Sequence, residues 1–173
     1  GQFVFGRTID EASKRAAPER AQGITHSFDM LGEAAMTHAD AARYLAAYHA
    51  ALDRLAAEAG AGVAGSPGIS VKLSALYPKY DFAHAAAAHD ALVPVVRNLA
   101  AKARDADIHF TIDAEEAERL ELSLDIIETL LADDTLFVRT DGTRWDGFGL
   151  AIQAYQKRGV TVCDWIARAA RRH

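Results

Sequence analysis

Cysteine is almost missing from this chain: Cys163 stands alone among 173 residues. One thiol supports neither an internal disulfide framework nor a thiolate zinc site. Basic charge is not in excess. Lys and Arg total 19 against 24 Asp and Glu, a formal net charge of −5, which argues against general affinity for nucleic acid phosphates. No apolar run reaches the roughly 18 residues expected of a membrane-spanning helix. No basic stretch followed by an apolar one marks a signal peptide. These features fit a cytoplasmic protein. Neither G-x-G-x-x-G nor a Walker phosphate loop occurs. Length excludes something too: 173 residues fall short of the roughly 200–250 of a complete (β/α)8 barrel.

What is present is the balance of one globular domain, half apolar and a quarter charged. Alanine is abundant between Ala34 and Ala106 and favours helix there. Residues 1–22 read as a leading helical segment, with Thr8 and Glu11 spaced as a capping box. The remainder, 23–173, repeats one order: an apolar strand-like run, then a helix. Ile24–Met30 is the first strand. Thr37-x-x-Asp40 opens a helix whose Tyr44, Leu45, Tyr48, Leu52 and Leu55 recur at helical spacing until Gly60. After the loop Gly62–Gly68, residues Ile69, Val71 and Leu73 alternate with Ser70, Lys72 and Ser74 as a second strand. A helical stretch from Phe82, broken or kinked near Pro94, carries Leu92, Val95, Val96 and Leu99. Ile108–Ile112 is the third strand. The helix after it presents Leu120, Leu124, Ile127 and Leu131 on one face. Ala132–Trp145 reads as a polar connection, Phe148–Ile152 as the fourth strand, and Thr161-x-x-Asp164 as the cap of the last helix.

Alternating strands and helices imply a parallel sheet with right-handed crossovers, either a small doubly wound sheet or part of a barrel. The missing phosphate loop weighs against the first. In parallel α/β folds, ligands gather at the carboxyl ends of the strands. Those ends carry Asp29 (with Glu33 four residues on), Lys72, Asp113 and Gln153. A cation, acids and an amide on one face suit a small polar ligand. The bland alternative is polar loop ends facing water. For Lys72 the fold decides: on an open face it is inert, whereas in a barrel lumen an ammonium needs an acid partner or an anionic ligand.

Other candidates are weaker. His84 and His89 are badly spaced for one helix face. His49 and Asp53 fit a surface pair better than a metal site, and no His-Cys or Glu-x-x-His constellation suggests a metal. His109 reads as a packed strand residue, Tyr44 and Tyr48 as packing residues. Ser74 and Ser123 lack a nucleophile elbow. Lys157 and Arg158 fit a solvated turn better than a phosphate site.

At the same strand ends the sequence resembles a family. Ser27-Phe28-Asp29-Met30-Leu31-Gly32-Glu33-Ala34-Ala35, Gly68-Ile69-Ser70-Val71-Lys72-Leu73-Ser74-Ala75-Leu76, Ile112-Asp113-Ala114-Glu115-Glu116-Ala117 and Ile152-Gln153-Ala154-Tyr155-Gln156-Lys157-Arg158 closely resemble proline dehydrogenases, in the form found in bacterial bifunctional proline utilization A proteins. Phe3 through Ala12 resembles the segment preceding the barrel there, so the resemblance covers nearly the whole chain. It implies an α/β fold, the first half (about four βα units) of a (β/α)8 TIM-type barrel with an N-terminal helix. It also implies FAD as cofactor and the oxidation of L-proline to Δ1-pyrroline-5-carboxylate by hydride transfer to flavin N5, with quinone as the final acceptor. By the same resemblance, Lys72 holds the proline carboxylate, and Asp29 pairs with a carboxylate-binding arginine. Asp113, Ala114 and Gln153 line the isoalloxazine.

The family's next-strand motif, of the type Arg-Leu-Val-Lys-Gly-Ala-Tyr-Trp, has no counterpart here. Nor does the late helix with the paired arginines; Arg171-Arg172 lacks its surrounding pattern. The expectation is therefore a fragment that is inactive alone, in the cytoplasm or peripheral to the inner membrane, with no nucleic acid partner. A non-catalytic half barrel that associates with itself or with a missing half is the alternative.

Overall fold

The computed structural model describes residues 4–31 and 34–173. Glu33, named above with Asp29, lies outside them. Helix α1 (Ile9–Arg20) precedes strand β1 (Ser27–Asp29). Then follow α2 (His38–Ala56), β2 (Gly68–Val71), α3 (Ala85–Asp105), β3 (His109–Ile112), α4 (Leu120–Leu131), the short α5 (Asp134–Phe137), β4 (Phe148–Leu150) and α6 (Gly159–Arg172). The strands form one sheet in the order β1-β2-β3-β4, every neighbouring pair parallel.

That order settles the choice between two architectures. A doubly wound sheet reverses direction at a switch point; here each strand is added beside its predecessor. Successive helices pack side by side as well, α2 on α3, α3 on α4 and α4 on α6, so they cover one face. The chain is a partial (β/α) barrel. The other face is the lumen wall.

Period-2 alternation assigns the two faces. Ile69, Val71, Phe110 and Ile112 are fully buried beneath the helices. They meet Tyr48, Leu52 and Leu55 of α2 and Leu92, Val96 and Leu99 of α3 in one core. Each such side chain contributes about 1.5–3 kcal/mol on burial. Ser70, Lys72, His109, Thr111 and Asp113 take the opposite parity and face the lumen. Gly68, paired with His109, must be small: a Cβ would stand 2.6 Å from the His109 Cβ.

The expected capping box is complete at α2 and half formed at α1, where the Glu11 carboxylate accepts from the Arg7 N–H at 2.9 Å instead of the Thr8 N–H. The Thr8 hydroxyl accepts from the Glu11 N–H, and Thr37 with Asp40 forms a full capping box. Helix α1 is clamped onto α2 by Glu58, which accepts from Ser13 Oγ and pairs with Arg20 and Arg54.

Five local expectations need correction. The strands are shorter than their apolar runs. Ile24 belongs to the turn after α1, its N–H donating to Glu19 O at 3.1 Å, and Leu73 opens a 3-10 turn. Pro94 does not break α3, because it lies on the exposed side, where the carbonyl it leaves unpaired meets water. Thr161 lies inside α6, which starts at Gly159. On α4 the fully buried set is Leu122, Ile126, Ile127 and Leu130, while Leu120, Leu124 and Leu131 are half-buried. This helix is apolar on two sides, and the second side lines a cavity. The segment 132–145 is not simply polar. Phe137 stacks on Trp145 at 6.3 Å, and both rings meet Phe148. The Trp145 Nε1–H donates to Ile108 O at 3.1 Å, closing the base of the sheet.

No helix among the described residues is long and apolar enough to cross a membrane.

Candidate active site

Three of the strand-end residues meet. Lys72 follows β2 directly, and its Nζ donates to Asp29 Oδ1 at 2.6 Å and to Asp113 Oδ2 at 2.7 Å. Parallel register explains the meeting. Val71 pairs with Ile112, so Lys72 and Asp113 leave their strands side by side, while Asp29, at the end of β1, stands one layer lower beside Ser70. The ammonium is buried, with 9% of the residue exposed. Burial alone pushes its pKa down; the hydrogen bonds and charges of Asp113 and Asp29 outweigh that and hold it above the ordinary lysine value. It is an ammonium throughout the physiological range.

The surroundings fix these side chains. Asp113 spends its other oxygen, Oδ1, on the Ala114 N–H at 2.9 Å. The Lys72 backbone N–H donates to the hydroxyl of Tyr48 at 3.1 Å. Tyr48 is fully buried, and burial pushes its phenol up to about 12. It packs as expected and also anchors the lysine.

Gln153 bonds to none of the three; Ala114 meets them only through its N–H to Asp113. With Asp113 they line an adjoining cavity at the ends of β3 and β4, completed by Ile112, Glu115, Leu150 and Ala151. Its floor is the second apolar side of α4 (Leu120, Leu124, Ile127) with Val162 of α6. Gln153 accepts from Gln156 Nε2 at 2.6 Å, which orients its amide. Asp113 therefore joins two regions, a charged cluster on β1–β3 and a cavity on β3–β4.

Sequence reasoning missed Glu115 and Arg119 as site residues and read Ser74 only as a failed nucleophile. Glu115 accepts from the Ser74 N–H at 3.0 Å and pairs with Arg119, whose guanidinium lies 5.5 Å from the centre of the buried Tyr80 ring. A signal existed: Ser74 and Glu115 share the strand parity of Lys72 and Asp113.

The weaker candidates are engaged elsewhere. Asp53 pairs with Lys102 at 2.6 Å, and the same ammonium donates to the His49 carbonyl. His84 pairs with Asp81, His89 contacts Thr129, and Arg158 pairs with Glu121 on the surface. Among the described residues, no group of three or more His, Cys, Asp and Glu is arranged to hold a metal ion.

A model of the proline dehydrogenase family matches residues 12–173. The chain belongs to the proline dehydrogenase family, a group of flavin-dependent oxidoreductases. The bifunctional protein PutA of Escherichia coli is 44% identical over 172 residues, covering 99% of this chain and 13% of that protein. Its namesake in Rhizobium meliloti is 46% identical over 171 residues, with the same coverage of 99% and 13%. A crystal structure of a Bradyrhizobium japonicum proline utilization A mutant superposes with a TM-score of 0.82 at 49% identity, covering 97% of this chain and 16% of that one. Proline utilization A from Bdellovibrio bacteriovorus, inactivated by N-propargylglycine, gives a TM-score of 0.86 at 22% identity, over 98% of this chain and 18% of that one. At that identity the likeness supports the shared fold alone. The chain spans about 13% of the length of the curated relatives it matches.

Proposed function

We propose that this chain is the N-terminal half of an FAD-dependent proline dehydrogenase barrel and carries the part of the active site that receives the substrate's charged groups. The observation that carries this reading is the meeting of Lys72 with Asp29 and Asp113 at the carboxyl ends of three adjacent parallel strands, at positions that match the family's motifs. Proline is a zwitterion, and the cluster offers both complements. The Lys72 ammonium holds the carboxylate, and an aspartate in contact with it balances the lysine charge until substrate arrives. Asp29 pairs with the family's carboxylate-binding arginine, contributed from outside this chain.

The cavity on β3–β4 fits one edge of a flavin. Two of its wall residues at the strand ends, Ala114 and Ala151, are small. Gly149 lies on the opposite, lumen side of β4, where an added Cβ would meet no atom within 4 Å, so the body of a planar ring has room over the lumen face and reaches the cavity only at the strand ends. The Gln153 amide offers both a donor and an acceptor to ring carbonyl and N–H groups. When bound, FAD supplies the two-electron chemistry that no side chain here provides. The chain's own residues bind and orient: Lys72 fixes the substrate's carboxylate, Asp113 spans the substrate and flavin regions, and the apolar floor excludes water. Reoxidation by quinone, and a place in the cytoplasm or against the inner membrane, follow from the same family reading.

Two preparations test this. The whole natural protein containing this chain should bind FAD and reduce an acceptor dye when given L-proline. The 173-residue chain alone should not turn over proline, because four strands supply half of a lumen wall. Proline-dependent turnover by the isolated chain would sink the half-site reading; a whole protein without flavin would sink the functional one.

A further inference from the structure

Ser74 lies two residues beyond Lys72 within the 3-10 turn Leu73–Ala75 and is 2% exposed. All three of its polar backbone and side-chain positions are spent on other loops. Its N–H donates to Glu115 Oε1 in the β3–α4 loop at 3.0 Å. Its Oγ accepts from the Ala34 N–H at 3.1 Å, and its carbonyl accepts from the Ala35 N–H at 2.9 Å, both in the β1–α2 loop. Ala34 has a φ of 57°, a left-handed conformation that a residue with a Cβ adopts at a cost and keeps only where its surroundings over-determine it. Glu115 is in turn held by Arg119. Each member of the charged cluster therefore sits at the root of a loop that ends on Ser74: Asp29 before Ala34, Lys72 before Ser74 itself, Asp113 before Glu115.

We propose that Ser74 is a positioning residue, the brace that ties the first three βα loops together and so sets the spacing of the Asp29 and Asp113 carboxylates about the Lys72 ammonium. It acts through Lys72 and touches no substrate itself. This deepens the function proposed above and rests, for its catalytic consequence, on Lys72 as the carboxylate anchor. A buried serine whose hydroxyl accepts a hydrogen bond from a strained backbone is not interchangeable with alanine: truncation leaves the Ala34 N–H without its partner.

The test uses the whole natural protein with four variants: Ser74→Ala, Ser74→Thr, Glu115→Ala and Glu115→Gln. Amide hydrogen exchange at Ala34 reports the brace without any catalysis. It should quicken about five- to tenfold in Ser74→Ala, the loss of one net hydrogen bond, and return toward wild type in Ser74→Thr, which keeps the hydroxyl. The KM for L-proline should rise by a similar factor in Ser74→Ala, with flavin content and kcat within about twofold of wild type, because ground-state carboxylate binding is what a loosened Lys72 loses. A merely structural serine would lower thermal stability without separating KM from kcat. If Ser74→Ala does not fold, Glu115→Ala cuts the same brace from the other side, and Glu115→Gln, which still accepts from the Ser74 N–H, serves as its control. Wild-type exchange at Ala34 together with wild-type KM in the alanine variants overturns the proposal. Lys72→Met is the reference arm: an unchanged proline KM there would count against the carboxylate anchor, while the exchange at Ala34 would still decide the brace.

Discussion

Replacing Asp113 by asparagine removes one of the charges that hold the Lys72 ammonium, Asp29 and Asp113 among the described residues, while keeping the shape of the side chain. The nitrogen and the carboxylate oxygen are 2.7 Å apart. Two unit charges centred about 4 Å apart attract by roughly 4 kcal/mol at an effective dielectric near 20. That figure needs discounting on three counts. The Asp113 side chain is 24% exposed, so water screens it. Asparagine still offers an acceptor, worth about 1 kcal/mol. Asp29 remains in contact, itself 44% exposed. A loss of about 1–2 kcal/mol is left, close to a tenfold change in the opening equilibrium of β2 and β3. The sign with pH is fixed. Lys72 has its pKa raised by folding above its ordinary value of 10.5. Its stabilisation is therefore fully present below that value and is lost as pH rises through the folded pKa. The wild-type advantage over Asp113→Asn should be constant across the neutral range and should shrink only above about pH 10.5. Hydrogen exchange at the Asp113 amide, which donates to Val71 O, measures the first quantity at neutral pH. NMR titration of the Lys72 Cε measures the second. Equal exchange in the two proteins, or a wild-type Lys72 that titrates at the ordinary value, would refute the claim that the two acids jointly hold this ammonium.

Three further outcomes follow from single contacts. Tyr48→Phe strands the buried Lys72 N–H and should cost about 1–3 kcal/mol in chemical denaturation. Gly68→Ala places a Cβ 2.6 Å from that of His109; the strands must part, and melting should show a loss of about 1–3 kcal/mol. Trp145→Phe keeps most of the aromatic packing but removes the donor to Ile108 O. It should cost about 1–2 kcal/mol, read by the same melting experiment.

The fold was legible wherever one face of an element is apolar and the other is not. Ile69 and Val71 alternating with Ser70 and Lys72 read as a strand with one buried face, and four such units in order left two architectures. Choosing between them required strand neighbours, which are non-local. Strand ends were illegible for a related reason. Leu73 leaves the ladder because Ser74 is bonded to Ala34, Ala35 and Glu115, contacts roughly forty residues away along the chain. The two apolar sides of helix α4 look alike in sequence, and only the position of the cavity tells them apart. The burial of Phe137 and Trp145 likewise depends on Phe148, on a different element. At the site, strand-end position was enough to pick out Asp29, Lys72 and Asp113. The second tier, Tyr48, Ser74 and Glu115, looks like packing or loop solvation until the loops are seen together.

The most direct measurement compares L-proline with its methyl ester, which lacks the carboxylate charge, in the whole natural protein, wild type against Lys72→Met. If Lys72 holds the substrate's carboxylate, the variant should lose about ten- to a hundredfold in kcat/KM for proline, the worth of a charge-assisted hydrogen bond. It should lose little for the ester, so that discrimination between the two collapses. Equal losses for acid and ester, or none for either, would contradict it.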